Sequence, residues 1–163
     1  MSKPGISIDI PGLGQRLIRT IVSDFTGTLS RNGRLTPGVK PRLRRLLKLV
    51  DLEILTADTY GTASRQLRGI VVPNKLKTRR HDIEKRRFAK RFRLKHVAAI
   101  GNGNNDRMLL SSVKKSGGLA IAVDNGEGCA IDALNGANLF VVGAANALDL
   151  LLNPTACKAT LRF

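Results

Sequence analysis

The sequence is poor in aromatic residues, cysteine and histidine. It has 163 residues with no Trp, one Tyr and five Phe, so aliphatic side chains must build the core. The two cysteines, Cys129 and Cys157, lack metal-ligand spacing and are predicted to be buried free thiols. His81 and His96 lie among basic residues without an Asp or Ser partner, which predicts structural or surface roles.

Long hydrophobic runs are also absent. No apolar stretch approaches the roughly 20 residues of a membrane span, and the N-terminus lacks the apolar segment of a signal peptide. We therefore expect a cytoplasmic protein. Since there is no internal repeat and no low-complexity linker, residues 1–163 are predicted to form a single domain.

Acidic residues are scarce. The 28 Lys and Arg residues against 12 Asp and Glu give a net charge of +16, which predicts attraction to polyanions or anionic substrates. Many basic residues fall in two clusters. The first cluster is Lys77, Arg79, Arg80, Lys85, Arg86, Arg87, Lys90, Arg91, Arg93 and Lys95, and the second is Lys40, Arg42, Arg44, Arg45 and Lys48.

Short apolar segments alternate with helical patterns, which predicts an α/β fold in three layers. A strand over residues 6–10 is expected to pair with one over 16–23. Further strands are predicted at residues 52–55, 70–72, 97–100, 119–123, 139–142 and 159–163. Six helices are also predicted. One begins at Thr36-Pro37 with Thr36 as its cap, and another begins at Asp82, which is its cap. The others span residues 61–67, with Thr59 as cap, 107–115, Asn125-Gly126 to Leu134, and 145–152.

The stretch at residues 21–29 organises the chain. Apolar residues run up to Asp24, and a Thr-Gly-Thr turn follows at once, as when a buried parallel strand delivers a carboxylate to its C-terminal end. Gly27 permits a backbone conformation that a β-carbon would hinder, and Thr26 and Thr28 offer hydroxyl and N–H groups to an anion. Such a carboxylate can attack a phosphoryl group. The alternative is a strand that ends in a turn capped by Asp.

Three later segments place polar residues at comparable positions. Thr56 follows a predicted strand, Lys85 lies in the first turn of a helix, and the Gly-Asn-Gly-Asn-Asn-Asp loop at 101–106 follows another strand. Each has a simpler interpretation: Lys85 is one lysine among many on a basic helix, and the loop is a flexible turn.

Four segments, in this order, resemble the motifs of the haloacid dehalogenase-like (HAD) superfamily. They are residues 24–29, 54–58, 84–88 and 100–106, and the resemblance covers nearly the whole chain. It is strongest to the branch that contains the phosphorylation domains of P-type ATPases and their small soluble relatives. It implies a three-layer α/β sandwich with a mostly parallel, Rossmann-like sheet.

The resemblance also implies roles for single residues. Asp24 corresponds to the nucleophile that forms an aspartyl-phosphate, with Thr26, Thr56 and Lys85 as further catalytic residues. The phosphate-binding residues would be Thr26, Gly27, Thr56, Ala57, Lys85 and Asn105. A Mg²⁺ cofactor would take Asp24, the Thr26 carbonyl, Asn102 and Asp106 as ligands.

Two departures from the family pattern affect the expected activity. Thr26 replaces a second Asp that serves as general acid and base in ordinary HAD phosphatases, and losing such help typically costs about 10²–10⁴-fold in rate. Asn102 replaces an Asp that usually binds Mg²⁺, and a neutral amide is a weaker ligand for a hard dication. We therefore expect slow dephosphorylation and reduced affinity for Mg²⁺.

The spacing between the motifs leaves no room for a cap domain. The site should therefore be open, which suits a large phosphorylated substrate, or a second copy of the chain could act as the lid. P-type transport is excluded, since membrane helices and a nucleotide-binding insertion are absent from the sequence.

Two classes of function stay open. The first is a Mg²⁺-dependent phosphohydrolase that acts on small or macromolecular phosphorylated substrates. The second is a catalytically weak or inactive HAD-like domain that binds anionic ligands or nucleic acid through its basic surface. A transfer reaction such as that of a phosphomutase is a further alternative.

Overall fold

The computed structural model describes residues 2–163 as an α/β fold. The strands are β1 (Ile6–Ile10), β2 (Gly14–Ile18), β3 (Thr20–Ser23), β4 (Ser30–Arg31), β5 (Arg34–Leu35), β6 (Asp51–Thr56), β7 (Leu76–Thr78), β8 (Val97–Gly101), β9 (Leu119–Asp124) and β10 (Leu139–Val142). The helices are α1 (Val39–Leu46), α2 (Ala63–Gln66), α3 (Asp82–Ala89), α4 (Arg107–Lys115), α5 (Ile131–Asn135), α6 (Ala144–Leu152) and α7 (Pro154–Leu161).

A six-stranded sheet in the order β10-β9-β8-β3-β6-β7 forms the centre, and all its strand pairs are parallel. Side chains alternate between its faces, as the period of a strand requires. Ile21 and Ile54 pack with α1, α6 and the β1–β2 hairpin, while Val22 and Leu55 pack with α3, α4 and α5. The predicted three-layer α/β sandwich is confirmed, and residues 2–163 include no cap domain.

The predicted strand at residues 16–23 is in fact two strands. The chain leaves the β1–β2 hairpin at Arg19 and enters the main sheet. There the Arg19 N–H donates to the His96 carbonyl, and the Arg19 carbonyl accepts from the Asp51 N–H. Buried isoleucines of the hairpin pack on the same face of the sheet as Ile21 and Ile54.

Helix α1 begins at Val39, so the predicted start at Thr36-Pro37 is wrong. Gly38, with φ of 82°, interrupts the helical backbone before Val39. The Thr36 hydroxyl is used elsewhere, since it accepts a 2.6 Å hydrogen bond from Asn125 Nδ2. The helix ends at Leu46, and residues 47–50 form turns.

Two predicted strands do not form. Residues 70–72 are irregular, and the sheet edge is instead β7. The predicted edge strand at 159–163 falls mostly in α7, where Pro154 occupies the first turn and the Asn153 side chain accepts from Ala156 N–H. Proline has no N–H to donate, which ends one helix but suits the start of another.

Other helix caps also differ from the prediction. Thr62, not Thr59, is the cap residue of α2, and Asp58 Oδ1 accepts the N–H groups of Thr62 and Ala63 at the helix start. Asp82 is the first residue of α3 and not its cap. Helix α5 starts only at Ile131.

The cysteines and histidines are largely where the sequence suggests. Both cysteines are free, and Cys157 is buried, but Cys129 is only half-buried. His81 is exposed, and a ring nitrogen of His96 lies 2.8 Å from the Leu17 carbonyl oxygen. Within residues 2–163, none of the helices has the length and hydrophobicity needed to cross a membrane.

Candidate active site

The carboxyl ends of three neighbouring strands bring the candidate residues together. Strand β3 lies between β6 and β8, and Ser23 is level with both Ile54 and Ile100. Asp24 follows β3 directly and donates its N–H to the Ile100 carbonyl at 2.9 Å. The aspartate therefore stands at the middle of the sheet edge, where ligands of open α/β sheets bind.

The turn after Asp24 is tightly wound around one carbonyl group. Phe25 O accepts the N–H groups of Thr28, Leu29 and Ser30 at 3.2, 2.9 and 3.0 Å. Gly27 has φ of 73°, and a β-carbon there would lie 2.5 Å from Asn102 Nδ2. Only glycine fits this position, both for its backbone conformation and for the close approach of the 101–106 loop.

Lys85 is fully buried and faces two carboxylates. Its Nζ lies 2.7 Å from Asp106 Oδ1 and 3.1 Å from Asp24 Oδ1. The first contact is a hydrogen bond, whereas the second is an ion pair without hydrogen-bond alignment. The start of α3 is fixed by Glu84, whose carboxylate accepts the N–H groups of Arg80 and His81.

Asp106 is fully buried and uses both carboxylate oxygens. Oδ1 accepts from Lys85, and Oδ2 accepts the N–H groups of Asn102 and Gly103 at 3.1 and 3.0 Å. Gly101 allows this packing, because a β-carbon there would lie 2.5 Å from Asp106 Cβ. Asp106 therefore shapes the loop and holds Lys85 in place.

Two buried carboxylates share one ammonium group, which leaves an excess negative charge inside the protein. Burial and, to a lesser extent, the charge of Asp106 raise the pKa of Asp24, Lys85 lowers it, and the net result is a pKa of about 6. Burial lowers the pKa of Lys85, but the attraction of Asp106 and Asp24 outweighs burial, so this pKa lies above its ordinary value. Lys85 is thus a cation at neutral pH.

Thr28 has a role that the sequence did not reveal. It was expected to offer its hydroxyl to an anion, but it is fully buried, with Oγ1 3.4 Å from Asp24 Oδ2 and 3.2 Å from Asn102 Oδ1. Asn102 Nδ2 in turn donates to the Gly128 carbonyl at 3.2 Å, which fixes the orientation of the amide. The only sequence signal for this role is the second threonine of the Thr-Gly-Thr turn.

The remaining predicted residues lie around this centre. Thr56 is buried at the end of β6, and its hydroxyl accepts the Asp58 N–H at 3.0 Å. The N–H groups of Thr26 and Ala57 make no hydrogen bond within residues 2–163 and are available to an anion. Asn105 lies in a 3-10 turn with its Oδ1 against Gly103, and no hydrogen bond of the described residues joins its side chain to Asp24.

The donor set fits a hard cation. Thr26 Oγ1 is a buried oxygen without a hydrogen-bond partner in the described chain, Asp24 Oδ1 has only the Lys85 ammonium at 3.1 Å, and two carboxylates share that single ammonium. Residues 2–163 contain no group of three or more His, Cys, Asp or Glu side chains suited to a metal. A cation here would thus need backbone, amide and water oxygens as well as carboxylates, which is the coordination that Mg²⁺ prefers.

Loops hold a short flap, β4–β5, at this end of the sheet. Glu127 accepts from the Asn32 N–H and from the Tyr60 hydroxyl, and Thr62 donates to the Gly33 carbonyl. These contacts tie the flap to the loops that follow β6 and β9.

Comparison with known proteins gives one relative by sequence and several by structure. No protein-family model matches the chain. An uncharacterized protein of Methanocaldococcus jannaschii is 43% identical over 68 residues, which are 42% of this chain and 69% of that protein.

Three solved structures illustrate the similarity of fold. The cobalt-bound deoxy-D-mannose-octulosonate 8-phosphate phosphatase of Haemophilus influenzae has a TM-score of 0.66 and 13% identity, over 88% of this chain and 92% of that one. The 3-deoxy-D-manno-octulosonate 8-phosphate phosphatase of Moraxella catarrhalis, in complex with magnesium, phosphate and its KDO molecule, has a TM-score of 0.59 and 16% identity, over 88% and 90%. A putative HAD superfamily (subfamily III A) hydrolase of Legionella pneumophila has a TM-score of 0.64 and 17% identity, over 88% and 87%. At these identities the similarity establishes the HAD-like fold alone.

The raised pKa of Asp24 predicts a pH-dependent cost to stability. Because the folded pKa of about 6 exceeds the ordinary value of 3.8, the folded protein holds a proton that the unfolded chain has lost, and the free energy of unfolding should fall as pH rises through this window. Asp24→Asn removes the charge, so it should unfold with a free energy on the order of 1–3 kcal/mol higher than wild type at pH 8 in EDTA. The difference should vanish near pH 4.

Urea unfolding at several pH values measures this difference. Asp149→Asn is the control, since Asp149 is paired with Arg42, which lowers its pKa, and its loss should reduce stability at pH 8. A less stable Asp24→Asn at pH 8 would contradict the buried-charge interpretation.

Proposed function

We propose that this chain, which belongs to the same family as the uncharacterized protein of Methanocaldococcus jannaschii and has a HAD-like fold, is a Mg²⁺-dependent phosphohydrolase that works through an aspartyl-phosphate. The observation that carries the proposal is the buried carboxylate of Asp24 at the central strand end, 3.1 Å from the buried ammonium of Lys85. A nucleophile, a neutralising cation and nearby free N–H groups are the parts that phosphoryl transfer needs.

The first step is attack of an Asp24 oxygen on the phosphorus of a phosphomonoester. A carboxylate–phosphorus bond forms, the bond from phosphorus to the leaving oxygen breaks, and that oxygen takes a proton from solvent. Water then attacks the phosphorus, which restores the Asp24 carboxylate and releases inorganic phosphate.

The residues around Asp24 would hold and neutralise the phosphoryl group. Lys85 offsets the charge of Asp24 and of the phosphoryl oxygens. The N–H groups of Thr26 and Ala57 and the hydroxyl proton of Thr56 would donate to these oxygens, with Gly27 giving the turn its shape. Asn105 is the least supported of the predicted phosphate ligands, since its side chain makes no hydrogen bond toward Asp24 among residues 2–163.

Mg²⁺ would be held by Asp24, the Thr26 carbonyl and Asn102, and when bound it would neutralise charge on the phosphoryl oxygens. Asn102 Oδ1 lies within hydrogen-bonding reach of the same Thr28 hydroxyl as Asp24, which favours a shared site. Asp106 fits the role of a direct ligand least, because Lys85 and two N–H groups already occupy its oxygens.

Thr26 makes the proposed enzyme slow. A threonine hydroxyl is a poor general base near neutral pH, so neither the leaving group nor the hydrolytic water receives help at this position. The same replacement links the chain to the P-type ATPase-like branch, where a long-lived aspartyl-phosphate is the expected intermediate.

The substrate class is a phosphomonoester presented to an open site. Two of the similar structures are named as phosphatases of a sugar 8-phosphate, so phosphorylated sugars are the first compounds to screen. The absence of a cap domain from residues 2–163 also admits larger substrates.

The first experiment is turnover of a generic aryl phosphate with and without Mg²⁺. Asp24→Asn should lower the rate by on the order of 10³ or more, because Asp106, the other carboxylate at Lys85, has both oxygens engaged and cannot replace the nucleophile. Asp149→Asn should retain activity, because Asp149 pairs with Arg42 between α6 and α1 and makes no contact with Asp24 or Lys85 among residues 2–163. Activity retained by Asp24→Asn in a preparation free of contaminating phosphatase would disprove the proposal.

Thr26→Asp should accelerate breakdown of the phospho-enzyme by at least about tenfold, since it restores a general acid and base. Thr26→Asn is the matched control, because it has the same shape without the ionisable group. Rapid-quench mass spectrometry of wild type should detect accumulated phospho-enzyme. Fast wild-type turnover without accumulation would show that Thr26 does not limit the rate.

Asn102→Asp should strengthen Mg²⁺ binding by on the order of tenfold, because it adds a charge to the ligand set. The same change should lower metal-free stability, as the side chain loses its donation to Gly128 and brings a third carboxylate close to Asp24. Titration calorimetry and melting with and without Mg²⁺ measure both effects. Asn105→Asp is the charge-matched control, and an equal gain in affinity there would argue against ligation by residue 102.

A further inference from the structure

A basic furrow runs along α3, outside the candidate active site. Two adjoining hollows of about 400 Å³ each share Phe88 and Arg91. We define the basic furrow by the residues that line it and carry the argument: Lys77, Arg79, Arg87, Phe88, Arg91 and Phe92.

The positive charge of the furrow is not neutralised within the described chain. Among residues 2–163, neither Lys77 nor any arginine of the furrow forms an ion pair. Two carboxylates also lie in its walls, but each is engaged: Glu53 pairs with Lys75, and Glu84 accepts backbone N–H groups. The furrow therefore attracts anions.

Two guanidinium groups are held in place before any ligand binds. Arg79 and Arg91 lie 5.5 and 5.2 Å from the centre of the Phe88 ring, within the range of a cation–π contact. Arg79 also donates to the Thr78 carbonyl at 2.7 Å. Such side chains lose less conformational freedom on binding an anion than free ones would.

The furrow begins at the edge of the candidate active site. The Arg79 N–H donates to the carbonyl of Thr56 at 2.9 Å, and the furrow then follows α3 past Arg87 and Arg91. The cations are spread from β7, which holds Lys77, past α3 to Arg91, so they match a chain of phosphates better than a single phosphate.

We propose that the basic furrow binds the phosphodiester backbone of nucleic acid. Arginine predominates over lysine, and its planar fork suits phosphate oxygens. Phe88 is 7% exposed and is contacted by both arginines, so it offers no open platform for bases, and binding should be independent of sequence. A concave surface without exposed apolar side chains does not suit insertion into a lipid interface.

Fluorescence anisotropy with a short labelled oligothymidylate tests this site on the full chain. If about four cations contact phosphates, the plot of log K against log salt should have a slope of about −3 between about 50 and 200 mM. Oligonucleotides of other sequence should bind within about twofold, because contacts to phosphates carry no sequence information. Binding does not require turnover, so this result is independent of the proposed phosphohydrolase.

The double variant Arg87→Gln/Arg91→Gln should weaken binding at least about tenfold at low salt and reduce the slope to about −1.5. Arg44→Gln/Arg45→Gln is the matched control, because these exposed arginines lie on α1, across the sheet from α3, and the loss of charge is the same. Since Arg91 packs on Phe88, Lys77→Gln/Arg87→Gln serves as a second furrow variant that spares this contact.

Three results would overturn the proposal. The first is no binding by the wild type at low salt. The second is an equal loss of affinity in the furrow variants and the α1 control, which would indicate a general effect of net charge. The third is vesicles of phosphatidylserine and phosphatidylcholine binding as tightly as the oligothymidylate.

Discussion

The buried contact of Lys85 with two carboxylates is the constraint on which the rest of the site depends. Taking three charges out of water is costly, and the cost is recovered only when geometry and hydrogen bonding are good. Here Asp106 is fully satisfied by Lys85 and two N–H groups, whereas Asp24 has only the longer contact with Lys85 at 3.1 Å and a long hydrogen bond of 3.4 Å from Thr28. The excess negative charge of the cluster is therefore least compensated at Asp24, at the edge of the sheet.

This difference between the two carboxylates depends on close packing of the turn after Asp24 against the 101–106 loop. Gly27 lets Asn102 approach the turn after Asp24, and Gly101 lets Asp106 fold back against its own strand. Thr28 then joins the two turns with one hydroxyl, which has a single proton to share between Asp24 and Asn102. A bound cation or a phosphoryl group would therefore meet a largely preorganised environment, which is how electrostatic stabilisation is achieved at low cost.

The same end of the molecule also determines how ligands reach the site. The flap and its neighbouring loops are tied together through Glu127, and the basic furrow adjoins the site where the Arg79 N–H donates to the Thr56 carbonyl. Excess positive charge is thus not spread evenly. In α3 the inward-facing Lys85 pairs with Asp24 and Asp106, whereas the outward-facing arginines form no ion pair among residues 2–163.

Much of the α/β order could be read from the sequence, because buried strands and amphipathic helices leave strong local patterns. Helix α4 has its predicted bounds, and β10 does as well. Helix caps and the edge strands of the sheet could not be predicted, because groups that are distant in the sequence compete for the same hydrogen-bonding partners. Thr36 was expected to cap α1, but its hydroxyl binds Asn125, and the C-terminal apolar residues were expected in a strand, but they continue from Asn153 into a helix.

For the site, the sequence by itself determined which chemical groups stand at the strand ends: Asp24 before Thr-Gly-Thr, a lysine in the first turn of α3, and an Asn-rich loop after β8. These are local features, since each follows from where a strand or helix stops. Only the tertiary structure decided which of these groups contact one another. Lys85 binds Asp106 more closely than Asp24, and Thr28 turns inward to Asn102, because parallel neighbours in the sheet bring together turns that are more than 70 residues apart in the chain.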